Sequence, residues 1–170
     1  MHANKYAKTV TAELTVILES MLKDQITEVV KKDELICAYG SFLLSSRGLK
    51  RSNFISQRMR ILARLLLKVK ETNDVGTLTK LIDPKHFDLV IEATKQLGGF
   101  SLETEDGEQV PSFSTPSLPL KIGYSLEKCA FLLEGNNQAF LTFYFSIKRN
   151  SRETGSERGD AAGFFFSHFV

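Results

Sequence analysis

The sequence has little of what catalytic and metal sites are usually built from. Two cysteines among 170 residues, Cys37 and Cys129, give neither a metal-ligand spacing nor a disulfide framework. A reducing compartment is therefore the simpler expectation, with both thiols expected as buried structural residues on apolar helix faces. The three histidines have no second histidine or carboxylate at ligand spacing, which argues against zinc. The acids Glu103, Glu105, Asp106 and Glu108 lack the spacing of a calcium loop and read as a solvated loop. Gly98-Gly99 reads as a helix stop, because no phosphate-loop pattern follows it. With no nucleophile–base pair and no cofactor loop in view, an enzyme is the least expected class, and no cofactor is expected.

Long apolar runs are missing as well. The longest, such as Phe164–Phe166, are far too short to span a bilayer, and MHANKYAKTV carries no signal-peptide core. A composition 42% hydrophobic and 25% charged is that of a globular protein, so a soluble intracellular chain with no membrane partner is expected. Its length suits one ordinary domain with a single core.

One absence is local. From Arg47 to Lys70 there is no Asp or Glu, and eight Lys or Arg stand in those 24 residues. Residues 71–110 reverse the balance, with nine acids against three lysines. The net charge of +2 thus conceals a segregated distribution, suited to steering a polyanion or to pairing two faces within the fold.

Within the basic stretch, Ile55, Met59, Leu62, Leu66 and Val69 recur at four- and three-residue intervals, which predicts one buried helix face. Phe54, Ile61 and Leu65 widen that face. Upstream, the period of Leu14, Ile17, Leu18, Met21, Leu22, Ile26, Val29 and Val30 predicts a helix from Thr11 to Lys32. Asp33 is placed to cap a second helix facing inward through Ile36, Tyr39, Phe42 and Leu43, and Ser45, Ser46 and Gly48 end it. The basic helix then starts at a Ser52 or Asn53 cap.

Downstream, Leu78, Leu81 and Ile82 form a short apolar patch. Asp83-Pro84 opens a helix running to about Leu97 that buries Phe87, Val90, Ile91 and Leu97. Phe100 to Pro116, rich in acids, Ser and Pro, reads as a loop. Ser117 starts a last helix to about Glu134, with Leu118, Ile122, Leu126, Cys129 and Leu133 inward. The expected fold is an all-α bundle of about five helices over residues 10–134. A poorly ordered, Phe-rich tail of 135–170 is expected beyond it, with a short strand at 139–147 and a disordered linker at 148–163.

The runs DELICAYG, SQRMRILARLLL (Ser56–Leu67), IDP with Phe87 following, and TPSLPLKIGYSL (Thr115–Leu126) together resemble a group of animal proteins similar to Crypton-type tyrosine recombinases, which derive from mobile elements. The resemblance covers about Leu14–Glu134. It implies the helical region that precedes the catalytic domain and clamps DNA, in a nuclear protein. The catalytic domain would begin after Glu134 and is not found in 135–170, so the resemblance implies a chain truncated before it. None of Tyr6, Tyr39, Tyr124 or Tyr144 sits in a family catalytic motif, so no catalytic residue is carried over.

The candidate DNA-binding residues are Arg47, Lys50, Arg51, Arg58, Arg60, Arg64 and Lys68. Arg60, Arg64 and Lys68 are four apart on one ridge and repel one another by a few tenths of a kcal/mol per pair. Contact with a phosphate backbone would explain tolerating that repulsion. A solvated face, or pairing with the acidic 71–110 stretch, would also fit. Three readings remain: non-sequence-specific DNA binding, a protein–protein module using the basic helix and apolar tail, and a non-functional truncated product.

Overall fold

Ile55, Met59, Leu62, Leu66 and Val69 all lie buried along one side of a single helix, as their spacing requires. The structure is a computed structural model and describes residues 10–105 and 108–134. The expected tail, with its strand and linker at 135–170, lies outside the described residues. The described part is predominantly α-helical: seven α-helices, two 3₁₀ turns and one two-stranded hairpin. The chain divides into two compact units, one ending at Lys80 and the other beginning at Leu81.

In the first unit, α1 (Ala12–Ser20), α2 (Gln25–Lys32) and α3 (Glu34–Arg47) pack with α4 (Ser52–Lys70). The expected continuous helix over Thr11–Lys32 is two. Met21 is extended, and Asp24 starts α2 by accepting the Thr27 amide on its carboxylate at 2.9 Å. The apolar period ran through the break because Met21 is buried on the core side, whereas Leu22 is exposed.

Asp33 caps α3 as expected, taking the Ile36 amide at 3.0 Å. Its other carboxylate oxygen accepts the Leu78 amide at 2.7 Å, a bond with no local sequence signal. Helix α3 buries more than the expected stripe, adding Leu35, Cys37 and Ala38, while Phe42 is half-buried. At Gly40 the two central helices run so close that a Cβ would stand 2.5 Å from the Met59 sulfur. The expected Ser52 or Asn53 cap of α4 is replaced by a 3₁₀ turn, Leu49–Arg51, which leads directly into the helix with no side-chain cap.

The Leu78–Leu81 patch is the short helix α5, and Leu78, Leu81 and Ile82 are all buried. In the second unit, Asp83 caps a 3₁₀ turn, Pro84–His86, which runs into α6 (Phe87–Gly98). The Lys85 amide donates to its carboxylate at 3.1 Å and holds that group below the usual carboxylate range. Helix α6 buries Val90, Ala93 and Thr94, with Phe87, Ile91 and Leu97 half-buried rather than fully inward.

The expected loop over Phe100–Pro116 is instead an antiparallel hairpin, β1 (Phe100–Glu105) with β2 (Glu108–Phe113), in register Phe100↔Phe113 to Glu105↔Glu108. At its base Phe100 and Phe113 meet with ring centroids 5.2 Å apart. Gly99, in the left-handed region at φ 65°, makes the turn out of α6. Helix α7 (Ser117–Glu134) packs with α6 and buries Ile122, Leu126 and Cys129 of the expected face, leaving Leu118 and Leu133 half-buried.

Candidate nucleic-acid interface

The seven candidate cations do not form one surface. On an ideal helix each residue advances about 100°, so Arg58 and Arg64 are about 120° apart around the α4 axis, and Arg58 and Arg60 about 160°. The structure bears this division out in the partners each side chain takes.

Arg60 faces α2. Its Nη1 donates to Asp24 Oδ1 at 3.0 Å and to Thr27 Oγ1 at 2.6 Å, and its Nη2 donates to Asp24 Oδ2. Only 14% of the Arg60 side chain is exposed. This bidentate pair is the geometry in which a planar guanidinium matches a carboxylate. The Arg60 hydrogen bonds, followed by the one from the Thr27 amide, hold the Asp24 carboxyl well below the usual carboxylate range. Neutralisation of Arg60 therefore comes from the start of α2 and not from the acidic 71–110 stretch.

Lys68 pairs with Glu71, one turn on, at 2.7 Å. With Arg60 and Lys68 both neutralised, the ridge repulsion expected from their spacing largely disappears. Arg64 is exposed and makes no ion pair among the described residues.

The other four candidates gather at the α3–α4 corner. Arg47 closes α3, Lys50 and Arg51 lie in the 3₁₀ turn, and Arg58 stands two turns into α4. The organiser is Phe54. The Arg47 guanidinium lies 5.2 Å from the centre of its ring and the Arg58 guanidinium 5.0 Å. The two guanidiniums are therefore within about 10 Å of each other despite their separation in sequence. A cation over an aromatic face gains about 0.5–1 kcal/mol at an exposed site, which offsets part of the repulsion between them. Arg47, Lys50 and Arg51 are exposed and form no ion pair among the described residues.

Sequence reasoning assigned Phe54 to the core stripe, whereas it is half-buried and carries the corner. The signal for Arg58 was its i,i+4 spacing from Phe54; nothing local pointed to Arg47. Asp24 and Thr27, the partners of Arg60, were also missed, because they stand 36 and 33 residues away.

Elsewhere, both cysteines are buried, and burial, with the nearby charges of Asp33 and Glu34, pushes the Cys37 thiol up to about 11. Among the described residues, no group of three or more His, Cys, Asp or Glu side chains is arranged to hold a metal ion, and no helix is long and apolar enough to cross a membrane. Comparison with protein-family models, curated proteins and solved structures returned no match.

Proposed function

We propose that this chain is a non-catalytic helical module that binds the nucleic-acid backbone through the α3–α4 corner, without reading base sequence. The observation that carries this is the pair of guanidiniums on Phe54, with Lys50 and Arg51 beside them and no acid in the surrounding 24-residue stretch. Arg47, Lys50 and Arg51, exposed and in no ion pair among the described residues, raise the local potential above what a net charge of +2 gives. Base readout is not part of the proposal, since a corner built of Arg, Lys and a half-buried ring offers phosphate contacts and no groove-inserted helix end. The similarity to the DNA-clamping region of Crypton-type recombinases points the same way and suggests a nuclear site of action.

The test is fluorescence anisotropy of the full chain with a 30-base-pair duplex between 50 and 200 mM salt. Each neutralised phosphate contributes about −0.9 to the log–log salt slope, so three or four contacts give a slope near −3. The double variant Lys50→Glu with Arg51→Glu, checked for retained helicity, should lose the binding. A second reading, an acidic protein surface as partner, is favoured by Leu49, which is 46% exposed in the same turn. Arginine and aromatic anchors beside an apolar side chain are common in protein interfaces. No salt-dependent binding to duplex would shift the weight to that reading.

A further inference from the structure

Independently of the nucleic-acid reading, we infer that residues 139–147 fold back along α7 of the same chain and lie on its outer apolar face. That face is carried by Leu120, Tyr124 and Phe131. At about 100° per residue the three fall within about 40° of one another around the helix axis. They stand opposite the side that buries Ile122, Leu126 and Cys129. Tyr124 is 42% exposed and Phe131 60%, with Leu120 half-buried. Lys121 and Lys128 border the stripe on one side and Glu127 on the other. An exposed apolar stripe with a polar rim marks a docking surface. At about 1.5 Å of rise per residue, Leu120 to Phe131 spans about 16 Å.

The occupant follows from where the chain goes next. Helix α7 ends at Glu134, and Gly135-Asn136-Asn137-Gln138 follows it. Gly and Asn are the residues that most readily take the left-handed backbone of a chain reversal. Then comes Ala139–Ile147. Read at the two-residue period of an extended chain, Leu141, Phe143, Phe145 and Ile147 share one side. Thr142 and Ser146 are on the other, with Phe140 and Tyr144. At about 3.3 Å per residue, Leu141 to Ile147 spans about 20 Å, close to the length of the stripe. After the reversal the segment runs antiparallel to α7, which sets Leu141 near the level of Phe131 and Ile147 near that of Leu120. Even fully covered aromatic side chains bury only about 150–250 Å² each, so three side chains supply less than the roughly 800 Å² per partner of a stable complex between separate chains. A segment tethered so close to the helix end has an effective concentration on the order of millimolar, and for it a small contact suffices.

The experiment is hydrogen exchange of the full chain, read by mass spectrometry. Peptides covering 139–147 are expected to exchange at least about tenfold more slowly than an unstructured chain of the same sequence. Tyr124→Ser with Phe131→Ser, both at exposed positions, should return them to the unstructured rate and leave the α6 amides as they were. Leu141→Ser with Phe143→Ser leaves α7 untouched. It should release the same peptides and raise hydroxyl-radical labelling of Tyr124 and Phe131. Phe140→Ser with Tyr144→Ser, on the outer side of the segment, should keep the protection. Unstructured exchange at 139–147 in the wild type overturns the proposal. Protection that survives the α7 double variant, or labelling of Tyr124 and Phe131 that does not change in the Leu141 and Phe143 variant, overturns α7 as the seat. Equal release by the Phe140 and Tyr144 variant overturns the choice of side. Protection that falls when the protein is diluted tenfold assigns the face to a second copy and overturns docking within one chain.

Discussion

Asp33 is 5% exposed and satisfies two backbone amides from different parts of the chain, Ile36 in α3 and Leu78 at the start of α5. Both partners are donors, so the position needs two acceptor oxygens, which a carboxylate has and a carboxamide lacks. Asp33→Asn is expected to destabilise the protein by about 1–3 kcal/mol, the cost of a buried polar group left without its partner. Asp33→Ala should cost more, because the α3 cap is lost as well. Urea unfolding monitored by far-ultraviolet circular dichroism measures both. Asp24 makes a pH prediction. Its carboxyl is held below the ordinary value of 3.8 in the folded chain by Arg60 and the Thr27 amide. A depressed folded-state value gives stability that is complete above the unfolded value and is lost as pH falls below it toward the folded one. The urea midpoint should therefore fall as pH is taken from 5 toward 2, and Asp24→Asn should fall less steeply over that range. Cys37, with its thiol raised to about 11, should resist alkylation at pH 7.5 until the protein is unfolded.

Among the elements, the hairpin depends most on a few contacts. A two-stranded sheet alone is marginal in water. What fixes it lies at its base: the Phe100–Phe113 ring contact, Lys95 over the Phe100 ring at 5.1 Å, and ladder-extending bonds from the Ser114 and Thr115 amides to the Gly99 and Gly98 carbonyls. Phe113→Ala should raise hydrogen exchange at the β1 and β2 amides while leaving the α4 amides protected. Equal loss of protection in both places would mean that the ring supports the whole fold. The hairpin was legible in part, since Asp106-Gly107 is a strong two-residue hairpin signal. The flanking runs obscured it: they are rich in Glu and Ser, carry Pro111, and show little of the apolar alternation that marks a strand. The α1–α2 break was masked in the opposite way, by apolar residues that kept a helical period across a turn whose own signal, Asp24 three residues before Thr27, is short.

At the scale of the molecule, what matters is where charge sits, more than how much there is. Lys31 and Lys32 end α2 and are exposed, as Lys50 and Arg51 are. Replacing either pair with glutamate changes the net charge from +2 to −2, since each exchange removes one positive charge and adds one negative. If the corner is the binding surface, Lys50→Glu with Arg51→Glu abolishes duplex binding, while Lys31→Glu with Lys32→Glu weakens it only through the longer-range field, which screens over about 8 Å at physiological salt. Equal losses would mean that overall charge, and no particular site, governs the interaction.

The sequence by itself determined the helical class, the buried stripe of α4, the Asp33 and Asp83 caps and the stop at Gly98-Gly99. Each is a local matter: a 3.6-residue period, a short polar side chain ahead of free amides, or a glycine able to take positive φ. It also concentrated positive charge between residues 47 and 70. Tertiary structure alone decided which partner each of those charges meets. Arg60 and Arg58 are two residues apart and alike in sequence. One meets a carboxylate from 36 residues away, and the other shares a phenylalanine ring with an arginine from the preceding helix. Such partners are set by how α2 and α3 pack against α4, and helix packing brings together residues whose separation leaves no period to read.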